Sequence, residues 1–122
     1  MKSVLIVDDH PLVRSAVRGM FKSFSEWQVS GEAEDGRDAI EKAERLKPDL
    51  IILDLAMPVL NGLDAAPMLK RTIPSARIIM LTAHNVHQVE QLAQKAGIDA
   101  VVSKSQAGSE LIHRVQTLLP IG

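Results

Sequence analysis

The chain has 122 residues, of which 46% are hydrophobic and 24% charged, and its formal net charge is −1. This composition is that of one ordinary globular domain, and a charge so near zero excludes the broad basic face that binds nucleic acid by electrostatics alone. The lack of cysteine excludes disulfides and thiolate metal sites. The first apolar stretch is too short for a signal peptide or membrane span. We therefore expect a cytoplasmic domain with no membrane partner and no direct nucleic-acid contact.

Five short apolar segments along the chain are predicted to be strands. They occupy residues 4–7, 27–33, 50–55, 78–81 and 100–102. The first ends at Asp8 and Asp9, and the following His10 and proline favour a helix start, because proline is tolerated in the first turn. The second is interrupted by Ser30 and Gly31, which favours a position at the edge of a sheet.

The third strand is an unbroken apolar run with a single carboxylate, Asp54, near its end. Such a run is typical of a parallel strand that helices cover on both faces. The fourth strand is equally apolar and ends at Thr82, and the fifth leads to Lys104.

Two dipeptides ahead of the second and third helices are typical of turns. They are Asp35-Gly36 and Asn61-Gly62. We interpret both pairs as loop residues.

Between the strands, apolar residues recur at helical spacing. The predicted core face of the third helix includes Met68 and Leu69. That of the fourth includes Val89 and Leu92. Strict alternation of strands and helices predicts parallel strands joined by right-handed crossovers. Because the chain is too short for an eight-unit barrel, we predict one domain over residues 1–122. Its fold is α/β, a doubly wound five-stranded parallel sheet with helices on both faces.

Polar side chains follow four of the predicted strands. They are Asp8 and Asp9, Asp54, Thr82 and Lys104. The carboxyl ends of parallel strands share one edge of the sheet, so these side chains should converge. Crowded carboxylates repel one another unless a cation lies among them, and hard oxygen ligands favour Mg²⁺. An aspartate can also accept a phosphoryl group, with a lysine and a hydroxyl neutralising its oxygens. Asp54, on the central strand, is the candidate nucleophile.

Four sequence motifs, each at a strand end, resemble the receiver domain of two-component response regulators. They are Val7-Asp8-Asp9-His10, Leu53-Asp54-Leu55-Ala56-Met57-Pro58 with Asn61-Gly62, Leu81-Thr82-Ala83, and Lys104. The resemblance covers essentially the whole chain. The segment at residues 8–14, Asp-Asp-His-Pro-Leu-Val-Arg, further resembles the NarL-type subfamily.

This resemblance implies a flavodoxin-like strand order of 2-1-3-4-5 and a Mg²⁺-dependent switch. Asp54 would accept a phosphoryl group from a phosphohistidine of a sensor histidine kinase. Asp9, Asp54 and the backbone carbonyl of Ala56 would bind Mg²⁺ directly, and Asp8 would help through water.

The resemblance also implies roles for residues around the phosphoryl group. Lys104 and Thr82 would contact its oxygens. Ala56 and His84 occupy the two positions that flank it in this family and influence how fast the aspartyl phosphate hydrolyses. For the other histidines, including His10, we expect surface or capping roles.

The chain departs from the family pattern at Val101. Many members carry an aromatic residue there, three positions before the lysine, whose rotamer follows the threonine hydroxyl. A valine is small and stiff at χ1, so it cannot swing through a large arc. We therefore expect backbone and helix shifts near residues 83–88 to carry the signal.

NarL-type members usually carry a C-terminal helix-turn-helix domain that binds DNA. We expect this chain to be either a stand-alone receiver or the N-terminal part of a longer transcription regulator, and both monomer and homodimer stay open. The alternative function is an aspartate-nucleophile phosphatase of the haloacid-dehalogenase type. That chemistry requires a second aspartate two residues after the nucleophile on the first strand, where this chain has His10.

Overall fold

The computed structural model describes residues 1–120, so the last two residues of the predicted domain lie outside the described part. Its elements are β1 (Lys2–Val7), α1 (Pro11–Lys22), β2 (Trp27–Ala33), α2 (Gly36–Leu46), β3 (Leu50–Asp54), α3 (Gly62–Thr72), β4 (Arg77–Thr82), α4 (Val86–Lys95), β5 (Ala100–Ser103), a 3₁₀ turn (Lys104–Gln106) and α5 (Ala107–Leu118). Within this range, no helix is long and apolar enough to cross a lipid bilayer.

The five strands form one parallel sheet in the order β2-β1-β3-β4-β5, which confirms the predicted topology. β3 lies at the centre, and all five of its residues are buried. The register aligns Asp54 with Leu81 and Thr82 with Ser103, so the carboxyl ends of the central strands reach a similar level. The sheet thus brings the predicted site residues to one edge.

Helices cover both faces of the sheet, because each strand alternates its apolar side chains between two separate cores. Leu5, Ile51 and Met80 pack with α2, α3 and α4 on one face. Ile6 and Ile52 pack with α1 and α5 on the other. The arrangement is the predicted doubly wound one.

The predicted edge strand β2 is irregular where its serine and glycine stand. Its register with β1 shifts between Val4 and Leu5, so Ser30 has no partner in the ladder. The Ser30 hydroxyl instead donates a hydrogen bond to the Val4 carbonyl at 3.2 Å. Such a bulge is tolerated at an edge because only one neighbouring strand must adapt.

The two glycine dipeptides lie where loops enter helices, so the prediction of loop residues is right for Asp35 and Asn61 and wrong for the two glycines. Asp35 and Asn61 are N-caps whose side chains accept hydrogen bonds from backbone amides of α2 and α3. Gly36 and Gly62 are therefore the first residues of helices rather than turn residues. At Gly36, an added Cβ would lie 2.6 Å from the Leu60 carbonyl oxygen, so glycine is required by a close approach.

Two residues of the predicted helix faces are exposed instead of buried. Met68 is 38% exposed and Leu92 is 55% exposed. The buried residues beside them, Leu69 and Ala93, lie one position further along each helix. One position corresponds to a rotation of about 100° around the helix axis, which moves a side chain off the core face.

Candidate functional site

Lys104 lies between two buried carboxylates at the carboxyl edge of the sheet. Its Nζ is 2.9 Å from Asp8 Oδ2 and 3.2 Å from Asp54 Oδ1. Asp8 is 3% exposed and Asp54 4% exposed. Three residues from the ends of β1, β3 and β5 are thereby joined, although at least 46 positions separate any two of them in the sequence.

Burial and neighbouring charge shift the protonation of this group. Desolvation raises the pKa of Asp54, and the charge of Asp8 adds to this, while Lys104 partly offsets both. Burial alone would lower the pKa of Lys104, but its hydrogen bonds and charge contacts with Asp8 and Asp54 outweigh that effect and raise it. The lysine therefore stays charged, and the carboxylates remain short of positive charge.

Asp9 carries a buried oxygen that no hydrogen bond satisfies among the described residues. Its Oδ1 is 3.1 Å from His10 Nδ1, but the orientation is not that of a hydrogen bond. One ligand atom from each of Asp8, Asp9, His10 and Asp54 lies within 4.8 Å of the others. A buried carboxylate oxygen without a donor, in a crowd of carboxylates, fits a hard divalent cation.

His10 belongs to this cluster, which the sequence reasoning missed. It occupies the N-cap position of α1, but its side chain makes no capping hydrogen bond. Its backbone N–H donates to Asp8 Oδ1 at 2.9 Å, and its Nδ1 is 3.2 Å from the same oxygen. The direct adjacency of His10 to the two acids was the signal that could have indicated this.

The Thr82 hydroxyl faces the loop after β4. It accepts a hydrogen bond from the His84 backbone N–H at 3.0 Å and is 3.3 Å from His84 Nδ1. Thr82 is completely buried. Within residues 1–120, its hydroxyl makes no hydrogen bond to Asp54 or Lys104. The threonine therefore lies at the predicted strand end, but its hydroxyl is hydrogen-bonded to His84.

An open cleft beside the carboxylates contains both predicted flanking positions. Its volume is about 470 Å³, and Asp9, Ala56 and His84 line it together with residues of the loop after β3. The two flanking residues thus line the same open cleft as Asp9, an acid of the cluster.

Gly62 fixes the backbone that carries Asp54. An added Cβ at this glycine would lie 2.2 Å from the Asp54 carbonyl oxygen. The Gly62 N–H also donates to the Leu55 carbonyl at 2.8 Å, which closes the loop after β3. The backbone of Asp54 is therefore tightly packed against the start of α3.

Val101 is buried, with 8% exposure. It belongs to the core cluster that also contains Val89 and Ala93 of α4. A packed valine at this position leaves no aromatic ring to change rotamer between the core and solvent.

Comparison with known proteins identifies the family to which the chain belongs. The family described as "Response regulator receiver domain" matches residues 4–116. "Response regulator protein VraR" of Staphylococcus saprophyticus is 35% identical over 113 residues, which are 93% of this chain and 54% of that protein. The chain therefore spans about half the length of the curated relatives it matches.

Solved receiver domains have the same fold. The isolated receiver domain of RcsB from Salmonella enterica serovar Typhimurium, determined with phosphomimetic BeF3-, is 30% identical with a TM-score of 0.88, covering 96% of this chain and 87% of that one. The signal receiver domain of NarL from Mycobacterium tuberculosis is 27% identical with a TM-score of 0.88, covering 96% and 94%. The chain thus belongs to the response regulator receiver domain family, is of the NarL type, and is a domain of phosphorylation-dependent signalling.

Proposed function

We propose that Asp54 accepts a phosphoryl group from a phosphohistidine of a sensor histidine kinase. An Asp54 carboxylate oxygen forms the new P–O bond while the P–N bond breaks, and the imidazole leaves with that electron pair and takes up a proton. Water later attacks the aspartyl phosphate, which releases inorganic phosphate and regenerates the carboxylate. The domain catalyses only its own phosphorylation and dephosphorylation, and its product is a conformation.

The observation that carries this proposal is the position of Lys104 between Asp8 and Asp54. Because the lysine already touches the nucleophile, its ammonium is within reach of an oxygen on a phosphoryl group attached there. Its pKa is raised by the two acids, so it carries positive charge throughout the physiological range. Neutralising the charge on phosphoryl oxygens in this way lowers the barrier to transfer.

We assign a Mg²⁺ site to Asp9, Asp54 and the backbone carbonyl of Ala56, with Asp8 acting through water. The unsatisfied Asp9 oxygen and the shortage of positive charge around Asp54 support this assignment. When bound, Mg²⁺ would supply positive charge that these carboxylates lack, as it commonly does with one or two carboxylates and a phosphate.

The signal leaves the site through the hydroxyl of Thr82. The Thr82 hydroxyl now accepts a hydrogen bond from the His84 N–H. When the hydroxyl turns to donate to a phosphoryl oxygen, this hydrogen bond changes its geometry, and His84 lies near the start of the segment at residues 83–88. With the buried Val101 in place of an aromatic residue, this backbone segment and the start of α4 are the route that remains. Amide chemical shifts at 83–88 should change when BeF₃⁻ and Mg²⁺ are added. Unchanged shifts there, with changes around Asp54, would refute this route.

Ala56 and His84 set the lifetime of the aspartyl phosphate, because both line the open cleft that also contains Asp9 and the loop directly after Asp54. His84→Ala should shorten the lifetime, since it removes a side chain from that cleft. Hydrolysis after removal of the phosphodonor, followed by intact mass, measures the lifetime.

The wider protein is expected to act on transcription. The VraR relative is almost twice as long as its matched part, which leaves room for a C-terminal DNA-binding domain of the helix-turn-helix type. We assign residues 1–122 to one receiver domain that touches no DNA itself and acts in the cytoplasm as a monomer or a homodimer. Sedimentation with and without BeF₃⁻ tests the dimer. The haloacid-dehalogenase phosphatase gains no support from any of these similarities.

The direct test is incubation with acetyl phosphate and Mg²⁺, followed by intact mass measurement. Wild-type protein should gain one phosphoryl group that hydroxylamine removes, and Asp54→Asn or removal of Mg²⁺ should abolish the gain. Asp64→Asn is the matched control, because Asp64 is an exposed acid on α3. It should be labelled like wild type. Undiminished labelling of Asp54→Asn would refute the assignment.

A further inference from the structure

Arg14 of α1 reaches from the helix to the backbone of the acid cluster. Its Nη1 donates to the backbone carbonyl of Asp8 at 2.6 Å. Its Nε donates to Glu32 Oε1 on β2 at 3.0 Å. The side chain of Arg14 is 17% exposed, so most of it is shielded from water. One guanidinium therefore joins a helix, an edge strand and the peptide between Asp8 and Asp9.

That peptide determines where the Asp9 carboxylate lies. Asp8 is held on its amide side by a hydrogen bond to the Ala33 carbonyl at 3.0 Å and on its carbonyl side by Arg14. Asp9 has no comparable support, because its buried Oδ1 accepts no hydrogen bond within the part of the chain that the structure describes. The orientation of Asp9 thus depends on the peptide plane before it, which Arg14 fixes.

The fork of the guanidinium suits this task. Arginine presents several N–H groups in a rigid plane, so one side chain can bond a carboxylate and a carbonyl at once. Glu32 holds the Nε end, which directs the Nη1 end towards Asp8. A lysine at the same position has one compact ammonium and cannot reproduce both contacts with the same geometry.

Arg18 provides an internal comparison one helical turn further along α1. It also forms an ion pair with Glu32. Its side chain is 48% exposed, and its contact is with Glu32 rather than with the backbone of Asp8. The two arginines share a helix, a charge and a partner, and they differ in the bond to the Asp8 carbonyl.

We propose that Arg14 is a positioning residue for the Mg²⁺ site, holding the Asp8–Asp9 peptide so that the Asp9 carboxylate is ready to bind the ion. This inference rests on the proposed function, since it concerns the affinity of the same site. Groups that orient metal ligands typically contribute between about tenfold and 100-fold to affinity, and we expect the lower end here because Arg14 acts through the backbone.

The test compares Arg14→Met, Arg14→Lys and Arg18→Met in the full chain. Mg²⁺ alone is the probe, and its dissociation constant is measured by NMR titration of backbone amides near the carboxyl edge. Arg14→Met should weaken Mg²⁺ binding about tenfold, and Arg14→Lys should lie between it and wild type. Arg18→Met should stay within about twofold of wild type.

A kinetic measurement separates positioning from general damage. In acetyl phosphate labelling, Arg14→Met should raise the Mg²⁺ concentration for half-maximal rate about tenfold and leave the rate at saturating Mg²⁺ nearly unchanged. The melting temperature should fall further in Arg14→Met than in Arg18→Met, because both lose an ion pair with Glu32 and only Arg14→Met also loses the bond to the Asp8 carbonyl. Arg14→Lys keeps the positive charge. If Arg14→Met does not fold, the Mg²⁺ affinity of Arg14→Lys decides whether Arg14 is a positioning residue.

The outcomes separate this inference from the function on which it rests. Mg²⁺ affinities of both Arg14 variants within about twofold of wild type, or an equal loss in Arg18→Met, would overturn the inference. Wild-type protein that takes up no phosphoryl group would instead overturn the proposed function.

Discussion

Acids lie at both edges of this sheet, but their partners differ. At the amino edge, Asp99 contacts Lys70 Nζ at 3.0 Å and Arg77 Nη1 at 3.3 Å, and its Oδ2 accepts the Ile78 N–H at 2.8 Å. Asp49, at the same edge, accepts the Ser3 N–H at 2.8 Å. These acids are compensated by cations and amides, and they join the start of one strand to another.

The carboxyl edge has the opposite balance. Three acids, Asp8, Asp9 and Asp54, share the single ammonium of Lys104 and the imidazole of His10, and one buried oxygen of Asp9 has no donor in the described chain. An acid whose charge is paired with cations and N–H donors stabilises the fold. In a cluster of acids with too few cations, the carboxylates repel one another, and a bound cation reduces that repulsion. This contrast is the one that we expect between acids that stabilise the fold and the acids of the proposed site.

The largest effect is expected from crowding the carboxyl edge. Gly62→Ala would place a Cβ 2.2 Å from the Asp54 carbonyl oxygen, so the loop after β3 must move. We expect the free energy of unfolding to fall by about 3 kcal/mol in urea titrations. Gly19→Ala is the matched control, since nothing lies within 4 Å of its added Cβ. Its free energy of unfolding should rise by about 0.5 kcal/mol, because alanine favours a helix more than glycine does. Equal behaviour of the two variants would contradict the tight packing behind Asp54.

Removing one lysine from each edge should destabilise the carboxyl edge more. Lys104→Met leaves Asp8 and Asp54 without their shared cation, and we expect a loss of about 2 kcal/mol without Mg²⁺. Lys70→Met leaves Asp99 with Arg77 and an amide, so about 1 kcal/mol should be lost. Urea titration in EDTA measures both losses. A larger loss in Lys70→Met would show that the edges are compensated alike.

Neutralising one acid at each edge should give effects of opposite sign. Asp99→Asn should lose about 1 kcal/mol in free energy of unfolding, because its two cationic partners lose an anion. Asp54→Asn should be slightly more stable than wild type at pH 7 without Mg²⁺, since the raised pKa of Asp54 means that its charge opposes folding. Thermal unfolding in EDTA compares them. Destabilisation of Asp54→Asn as large as that of Asp99→Asn would contradict the contrast.

The smallest effect is the pH dependence of that gain. The folded pKa of Asp54 lies above its ordinary value of 3.8, so Asp54 favours folding below that value and loses this contribution as pH rises through the folded pKa. The stability difference between Asp54→Asn and wild type should therefore be near zero at low pH, grow with pH and then become constant. Urea titrations over a pH series without Mg²⁺ measure it. If the stability difference between Asp54→Asn and wild type instead shrinks as pH rises, the pKa of Asp54 is lowered by folding and not raised.

The parallel α/β fold and the main acids were predictable from sequence because both depend on local patterns, whereas the strand order came from the family resemblance. Apolar runs indicated the strands, and parallel topology required their carboxyl ends to meet, which brought Asp8, Asp54 and Lys104 together. Other features depend on tertiary contacts that no local pattern contains. The need for glycine at position 62 arises because the start of α3 lies against the backbone of β3 at Asp54.

Side-chain directions were the other part that sequence did not predict. The Thr82 hydroxyl is bonded to His84, and the Arg14 guanidinium reaches the Asp8 carbonyl, because of rotamers chosen in the packed fold. Met68 was wrongly placed on the core face of α3. Helical spacing identifies the centre of an apolar helix face but does not determine which residues lie at its margins.

Locating the phosphoryl group tests the central claim most directly. Protein labelled with acetyl phosphate and Mg²⁺ is reduced with borohydride, which converts an aspartyl phosphate to homoserine, and the modified position is read by peptide mass spectrometry. We predict homoserine at position 54 and none at positions 49 or 99 at the amino edge. Homoserine at either of those positions, or its absence from position 54 in labelled protein, would contradict the account.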